Sequence, residues 1–475
     1  MERREVLQIR PTNQSDGIYS FNGGAPQIEF DIPRVPKYLL GKTLRINGTF
    51  EVFMGDNVGA VAGDSAISSQ ARPKNSINLG SATRQLRIDS RIGVASCIDY
   101  VSIANQSGQS FEMIKNYNRL VSSLNPKDYD MRDLFCGGMD IISGATGKQD
   151  NTGRLCNKPF DFSIPIRAGI FEGDDTPLNL QLINGLHIVL QLAPNTFVLN
   201  NRCFLLGAGQ DTSGQQGTGG NYQLSNVSLS FEAVVPPPDA VNQMVNSPNP
   251  EAFDYVAYTN FYNVLQTTDH TSIMNINTSR TIGFTCNMIP SAYVNNYDFN
   301  SSMTLPPTKL RGAAIGVGNA QGVIKNQVPI KEITYTRGGV RMPLDFVINA
   351  QESQDQQTPD GQLQFTTLNN IQKVFTRHHL LKSTQTELGL PMADTDDYGR
   401  SFNEPNKADN VPCFDVGVSF DQITENGINF KGMPLGMRIQ TDFGQDAVSV
   451  LSLYLYIKHK NTIMFGANGA VQVMN

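Results

Sequence analysis

The residues best suited to bind a metal are a histidine pair and an acidic loop. His378 and His379 are adjacent, so on a helix their side chains point about 100° apart and cannot readily share one ion. The run DTDDYG at residues 394–399 has the carboxylates and the glycine that begin a calcium loop, but Pro405 stands where that loop needs a bidentate Glu. An acidic surface loop is the better interpretation, and a looser calcium site in a loop of a β-sandwich stays open as an alternative.

Groups suited to acid, base or nucleophilic catalysis lie in contexts that favour structural roles. GDDTP at residues 173–177 pairs two carboxylates, but Asp and Gly are expected there for the hydrogen bonding of a turn. His187 and His459 occupy polar positions of predicted strands. The sequence has no GxSxG, HExxH, CxxC or GxxxxGK[ST] motif, and the glycines at 207–220 and 336–341 lack the strand-to-helix context of a phosphate loop. We therefore predict no catalytic, cofactor-binding or metal-binding residue, no cofactor and no enzymatic activity.

Charge and cysteine content limit the classes of partner. Lys and Arg number 37 against 43 Asp and Glu, and the net charge of -6 is spread along the chain, so we expect no direct nucleic-acid binding. An even count of 6 cysteines permits disulfides, but their wide spacing indicates free thiols in a reducing compartment.

The N-terminal residues lack a signal-peptide core and no apolar run is long enough to span a membrane, so we expect a protein made inside a cell.

The elements that must position these residues are mostly strands, because apolar residues recur with a period of two. The clearest runs come late in each half of the chain: 160–166, 186–192 and 221–235, then 414–420, 435–443 and 451–458. Earlier runs that favour strands are 28–33, 42–53 and 92–103, then 272–289, 322–335 and 338–348. In 451–458 the alternation predicts that the leucines and Ile457 face a core, with Ser452, Tyr454, Tyr456 and Lys458 opposite them.

Two helices are predicted, one in each half. Residues 111–124 have apolar positions at helical spacing, follow Ser110 as an N-cap and stop before Pro126. Residues 368–381 place His378 on an apolar stripe, which favours a packed or interface histidine.

The order of helix and three strands is repeated with similar spacing. From Phe111 to Phe160 is 49 residues and from Leu368 to Phe414 is 46, while the next interval is 25 residues in the first half and 22 in the second. The sequence therefore indicates an internal duplication, best supported in the later part of each half.

The chain of 475 residues suits two domains of about 200 to 240 residues. Short alternating strands with polar loops and few helices favour an all-β fold, two consecutive eight-stranded antiparallel jelly-roll sandwiches, each with a short inserted helix. We predict a first jelly roll at 1–235 with an N-terminal arm at 1–17, a proline-rich linker at 236–252, and a second jelly roll at 253–475. We predict the linker because Pro236, Pro237 and Pro238 have no N–H to donate to a strand ladder.

This architecture resembles the double-jelly-roll major capsid proteins of tailless icosahedral DNA viruses, a group that includes virophages and polinton-like viruses. The run DYVSIANQSGQSFEMIKNYNRL, a strand and a polar turn followed by the predicted helix, is similar to the equivalent passage in that family. The resemblance implies a structural protein of the virion, assembled inside an infected host cell as a homotrimer with a pseudo-hexagonal outline. It also implies contacts with neighbouring capsomers and with penton and minor capsid proteins, and it leaves an inner membrane open.

A β-sandwich that binds or cleaves carbohydrate is the alternative from another functional class. Such proteins often stack sugars on exposed Trp or Tyr, and the chain has no Trp. They are also usually secreted, which the N-terminal residues do not favour.

Overall fold

The fold follows from a computed structural model of the chain. The described residues are 3–13, 17–21, 23–54, 72–73, 84–88, 93–124, 136–138, 154–155, 159–172, 177–198, 200–203, 220–237, 239, 252–265, 269–290, 330–341, 348–349, 414–419, 427–441, 451–465 and 471–474. Strands dominate these ranges, as the period-two alternation predicts.

The first half is built from short strands and a few single-turn or two-turn helices. Its strands are β1 Arg3–Ile9, β2 Ile18–Tyr19, β3 Gln27–Ile32, β4 Tyr38–Leu39, β5 Arg45–Met54, β6 Arg72–Pro73, β7 Arg84–Ile88, β8 Ile98–Ala104, β9 Ser110–Lys115, β10 Arg154–Leu155, β11 Phe160–Pro165, β12 Leu178–Asn179, β13 Leu186–Leu192, β14 Asn200–Cys203 and β15 Gly220–Val235. Its helices are two 3-10 turns, Gly41–Thr43 and Gly93–Cys97, and α1 Tyr117–Leu124, α2 Gly169–Glu172 and α3 Asn195–Val198.

Two antiparallel sheets of the first half form a sandwich. The larger has the order β11-β5-β15-β4-β12, with β1 and β2 paired to β15 and β6 paired to β5, and the smaller has the order β3-β13-β8-β9. Leu229 of the larger sheet and Ile188 of the smaller are both fully buried in one hydrophobic core. A further three-stranded sheet has the order β10-β7-β14.

Strand β15 lies in the middle of the larger sheet and has the predicted alternation, with Leu229 and Phe231 buried. Asn226 adopts a φ of 52°, and the register between β15 and β5 shifts at this point, so the strand contains a bulge. The strand ends at Val235, directly before Pro236, because proline has no N–H to donate to the ladder.

The predicted helix over 111–124 is wrong in its first half. Ser110 is the first residue of strand β9 and not an N-cap, and β9 pairs with β8. Asn116 then takes a left-handed φ of 51°, and the helix begins at Tyr117. Apolar residues spaced three and four apart fit one continuous helix or a strand followed by a helix, and pairing with β8 selects the second arrangement. The predicted strand at 92–103 likewise begins as a 3-10 turn, Gly93–Cys97.

The second half repeats the sandwich. Its strands are β16 Ala252–Leu265, β17 Asp269–Met274, β18 Thr281–Pro290, β19 Ile330–Arg337, β20 Val340–Arg341, β21 Ile348–Asn349, β22 Phe414–Ser419, β23 Leu435–Thr441, β24 Leu451–Phe465 and β25 Val471–Met474. One antiparallel sheet has the order β16-β24-β18-β22, with β25 paired to β24, and the other has the order β17-β23-β19-β20, with β21 paired to β19.

The fold class is therefore the predicted one, two consecutive antiparallel jelly-roll sandwiches. Strand β16 was not predicted. The predicted helix at 368–381 lies outside the described residues. In the part of the chain that the structure describes, no helix has the length and apolar character needed to cross a membrane.

Candidate functional site

The two sandwiches meet along a buried junction that we call the seam: β9, α1 and α2 of the first sandwich against β16 and β24 of the second. Strands β9 and β16 each stand at the end of their sheet order. An end strand has backbone N–H and C=O groups with no ladder partner, and burying such groups unpaired is costly. The seam pairs two such backbone groups, Tyr258 N–H of β16 and the Phe111 carbonyl of β9, with side chains from the opposite sandwich.

Glu112 of β9 is the centre of the seam. Its side chain is buried, with the residue 4% exposed, between elements of both sandwiches. Oε1 accepts hydrogen bonds from the backbone N–H of Tyr258 at 2.7 Å and of Gly169 at 3.1 Å, and Oε2 accepts one from Ile170 N–H at 3.1 Å. One carboxyl group thus joins β16 to the start of α2. Burial raises the pKa of Glu112 to about 8, against the opposing effect of the three N–H donors.

A second set of hydrogen bonds joins side chains of the second sandwich to the backbone of β9. The Tyr255 hydroxyl donates to the Phe111 carbonyl at 2.8 Å and accepts from Asn461 Nδ2 at 3.3 Å. Asn461 Oδ1 lies 2.8 Å from Nδ1 of the buried His459, whose Nε2 lies 2.9 Å from the Thr259 hydroxyl. This chain of contacts suits a neutral imidazole, with Nδ1 donating and Nε2 accepting. Burial lowers the pKa of His459 to about 4.

Strand β24 reaches the first sandwich through its tyrosines. The Tyr456 hydroxyl donates to the Asn116 carbonyl at 2.7 Å, and the Arg119 guanidinium lies 4.4 Å from the centre of the Tyr454 ring. Tyr454 and Tyr456 are therefore buried, as is Ser452, although the alternation placed them opposite the core face. A strand packed between two sandwiches is buried on both faces, and this is why its polar face does not meet solvent.

The backbones of the two sandwiches come very close beside Glu112. A Cβ atom added at Gly169 would collide with the Val256 carbonyl and the Ala257 backbone. Tyr258 adds a contact at the other end of α2, because its hydroxyl donates to Glu172 Oε2 at 3.0 Å. Lys458 Nζ lies 3.8 Å from the same carboxylate oxygen, so Glu172 also pairs with β24.

These contacts make the seam a structural junction. The oxygens of Glu112 face backbone donors of the protein itself, and His459 is held between Thr259 and Asn461. Across the described ranges no group of three or more His, Cys, Asp or Glu side chains is arranged to hold a metal ion.

The structure places some of the residues singled out in the sequence and leaves others outside its described ranges. His187 pairs with Asp31 on the outer face of the smaller sheet, Nδ1 to Oδ1 at 2.7 Å, while His459 belongs to the seam. Gly338 and Gly339, both with positive φ, form the tight turn between β19 and β20.

The histidine pair at 378 and 379, the acidic run at 394–399 and the carboxylates of residues 173–177 lie outside the described ranges. Cys97 and Cys136 are free thiols.

The seam residues were not found from the sequence. Glu112 carried one signal, a single acid within the apolar run FEMI. The aromatic-rich run FDYVAYTNFY of β16 carried another, since such residues favour strands. Which groups they contact depends on how the sandwiches pack, and periodicity does not contain that information.

A second feature concerns the outer face of the larger sheet in the first sandwich, which we call the polar wall. Polar side chains of neighbouring strands bond one another there: Gln8 with Ser228, Asn47 with Ser230, Arg45 with Ser163, and Thr49 with Asp161. Arg45 and Ser228 are buried by this packing. Because these groups already have partners, a wall of this kind can be covered by another protein surface at a reduced desolvation cost.

Comparison with known proteins finds similarity in structure alone. No protein-family model and no curated protein sequence matches the chain. The fold is similar to VP54 of the virus PBCV-1, with a TM-score of 0.54 and 11% identity over 100% of this chain and 97% of that one. It is similar to the Faustovirus major capsid protein, with a TM-score of 0.56 and 9% identity over 98% of this chain and 91% of that one. A chain of the Sputnik virophage gives a TM-score of 0.54 and 11% identity over 99% and 88%. The predicted resemblance to the double-jelly-roll fold is thus confirmed.

Proposed function

We propose that this chain is a major capsid protein that forms the shell of a tailless icosahedral DNA virus of the virophage or polinton-like type. The observation that carries the proposal is that both sandwiches, in one chain, align over almost their full length with capsid proteins of separate viruses. A structural protein of the virion, without enzymatic activity, is the function that this architecture serves best.

In the proposed assembly, three copies form a homotrimer in which six sandwiches give a pseudo-hexagonal capsomer. Such an outline requires that the two sandwiches of one chain keep a fixed relation to each other. The seam supports this, because two hydrogen bonds join β16 to β9, from Tyr258 N–H to the Glu112 side chain and from the Tyr255 hydroxyl to the Phe111 carbonyl. The strands would stand roughly normal to the shell, with loops at the outer end and the N-terminal arm at the inner side.

The contacts between copies would be broad and polar. The polar wall has its side chains paired across neighbouring strands, which favours association through shape and area and not through charge. Neighbouring capsomers, and penton and minor capsid proteins, are the further partners of this proposal, and an inner membrane is compatible with it. The net charge of -6 favours leaving the genome to other components.

We also propose the division of the chain into a first jelly roll at 1–235, a connector at 236–252 and a second jelly roll at 253–475. In support, β15 ends at Val235 and β16 begins at Ala252. Pro236 and Pro237 follow β15 directly and give the connector a stiff beginning.

Solution mass and particle shape test the proposed function. Light scattering on the purified chain should give three times the 52.1 kDa mass of one copy. Negative-stain images should show particles with hexagonal outlines. A chain that stays monomeric at every salt concentration and pH tested, with no particles in the images, would contradict the proposal.

A further inference from the structure

The seam joins two different kinds of face. The first sandwich contributes β9, the end strand of the order β3-β13-β8-β9, and the second contributes β16 with the adjoining β24. Because the two sandwiches repeat one fold, each also has the kind of face that the other uses in the seam. The strand orders identify these two remaining faces.

Strand β1 holds the place in the first sandwich that β16 holds in the second. The order β16-β24-β18-β22 corresponds to β1-β15-β5-β11. Both β1 and β16 pair antiparallel with the long strand, on the side away from β5 or β18. The polar wall is the outer face of this sheet, so it corresponds to the face of β24 that carries Tyr454 and Tyr456 in the seam.

Strand β20 holds the place in the second sandwich that β9 holds in the first. The order β17-β23-β19-β20 corresponds to β3-β13-β8-β9. Each of the two end strands also pairs antiparallel with the strand that precedes it in the chain, β20 with β19 and β9 with β8. The β20 end of the second sandwich is therefore the counterpart of the β9 face of the seam.

Exposed apolar side chains lie on the same two strands. Across the described ranges, Val6 of β1 and Val340 of β20 are the two most exposed large hydrophobic side chains, at 74% and 72%. Each of the two faces that take no part in the seam thus carries one of them. Covering these valines with another protein surface removes apolar area from water, which favours association.

We propose that the polar wall and β1 of one copy bind the β20 end of the second sandwich of another copy. This contact repeats between chains the pairing that the seam makes within one chain. It rests on the proposed capsid function and names the surfaces through which the copies meet. Each chain has one face of each kind, so the contact is head to tail, and three copies can close a ring in which first and second sandwiches alternate.

Light scattering on variants of the full chain tests the two faces. Val6→Glu and Val340→Glu each place a carboxylate in the proposed contact, where covering it removes its hydration. Each variant should therefore raise the concentration needed for half-assembly by about tenfold or more. Ile273→Glu is the matched control, because Ile273 is 69% exposed but lies on β17, at the opposite end of the sheet order from β20. It should assemble like the wild-type chain.

Mixing the two variants tests the head-to-tail arrangement. A Val6→Glu chain keeps an intact β20 end, and a Val340→Glu chain keeps an intact polar wall. At a concentration where each variant alone is monomeric, the mixture should form dimers of twice the 52.1 kDa mass of one copy. A contact between two identical faces would instead leave one of the variants assembled on its own, and this result would overturn the proposal.

Hydrogen exchange on the wild-type chain gives a measurement that does not depend on the variants. Peptides from 3–9 and 330–341 should gain protection as the protein concentration rises and the chain assembles. An assembled chain without this gain, or trimers of both variants as stable as those of the wild type, would overturn the two faces and leave the capsid proposal intact.

The failure of the proposed function has different signs. Head-to-tail association that both variants block but that never closes into trimers would support the two faces and contradict the trimeric capsomer. A wild-type chain that stays monomeric at every salt concentration and pH tested would overturn both proposals.

Discussion

At the scale of single residues, the seam leaves no space for an added methyl group at Gly169. A Cβ there would meet the carbonyl of Val256 in the second sandwich. Gly41 is similarly crowded, with a Cβ position 2.8 Å from the backbone of Phe171, but that contact lies within the first sandwich. Substitutions at the two glycines therefore distinguish the effect of crowding at the seam from the effect of crowding inside one sandwich.

We expect Gly169→Ala to lower the free energy of unfolding by about 1–3 kcal/mol, because either β16 or α2 must move to admit the methyl group. Urea denaturation measures the loss. Gly41→Ala should cost a comparable amount, but only Gly169→Ala should lower hydrogen-exchange protection at 252–265. Equal protection of that segment in both variants would show that β16 is not held against α2.

At the scale of the element, sequence reasoning succeeded where one face of a strand is buried. The runs at 160–166, 186–192 and 221–235 alternate cleanly, and each contains a strand within one or two residues of the predicted bounds. Strand β16 was missed because adjacent residues Ala257 and Tyr258 are both buried, so its pattern has no period of two. Contacts between the sandwiches, not the alternation within either one, determine which of its residues are covered.

The same element gives a prediction about edge-strand capping. Tyr255→Phe removes the hydroxyl that donates to the Phe111 carbonyl, and we expect a loss of about 1–3 kcal/mol in unfolding free energy, because a buried carbonyl loses its partner. Tyr262→Phe is the matched control on the same strand. Its side chain is 54% exposed and its hydroxyl contacts Ser452 Oγ at the longer distance of 3.3 Å, so thermal or urea denaturation should detect a smaller loss than for Tyr255→Phe. A Tyr255→Phe variant as stable as the control would refute the capping role.

At the scale of the whole molecule, the two buried ionisable groups of the seam change stability with pH in opposite senses. The contribution of Glu112 falls as the pH rises from 4.5 to 8, because burial raises its folded-state pKa to about 8. The folded-state pKa of His459, about 4, is below its reference value of 6.5, so its contribution to stability is complete above pH 6.5 and disappears as the pH falls through 4.

The unfolding free energy of the wild-type chain, relative to that of His459→Gln, should therefore fall by about 3 kcal/mol between pH 6.5 and 4, from the size of the pKa shift. Comparison with the variant is needed because Glu112 changes stability in the opposite sense over part of this range. Urea midpoints measured across this range provide the test, with His187→Gln as a control on the outer face of the first sandwich. A difference between the two chains that stays constant from pH 6.5 to 4 would show that His459 does not contribute to the pH dependence.

Strand β24 has a consequence for the way the protein is made. It pairs with β16 along the whole length of that strand and also supplies Tyr454 and Tyr456 to the first sandwich. On the ribosome, β16 emerges soon after the first sandwich is complete but must wait for residues 451–465 before its sheet can form. During this interval the nascent chain exposes β9 and α1, an apolar surface with an unpaired strand edge. Premature association between copies, or a need for chaperones, should therefore be greatest while the incomplete chain is still on the ribosome.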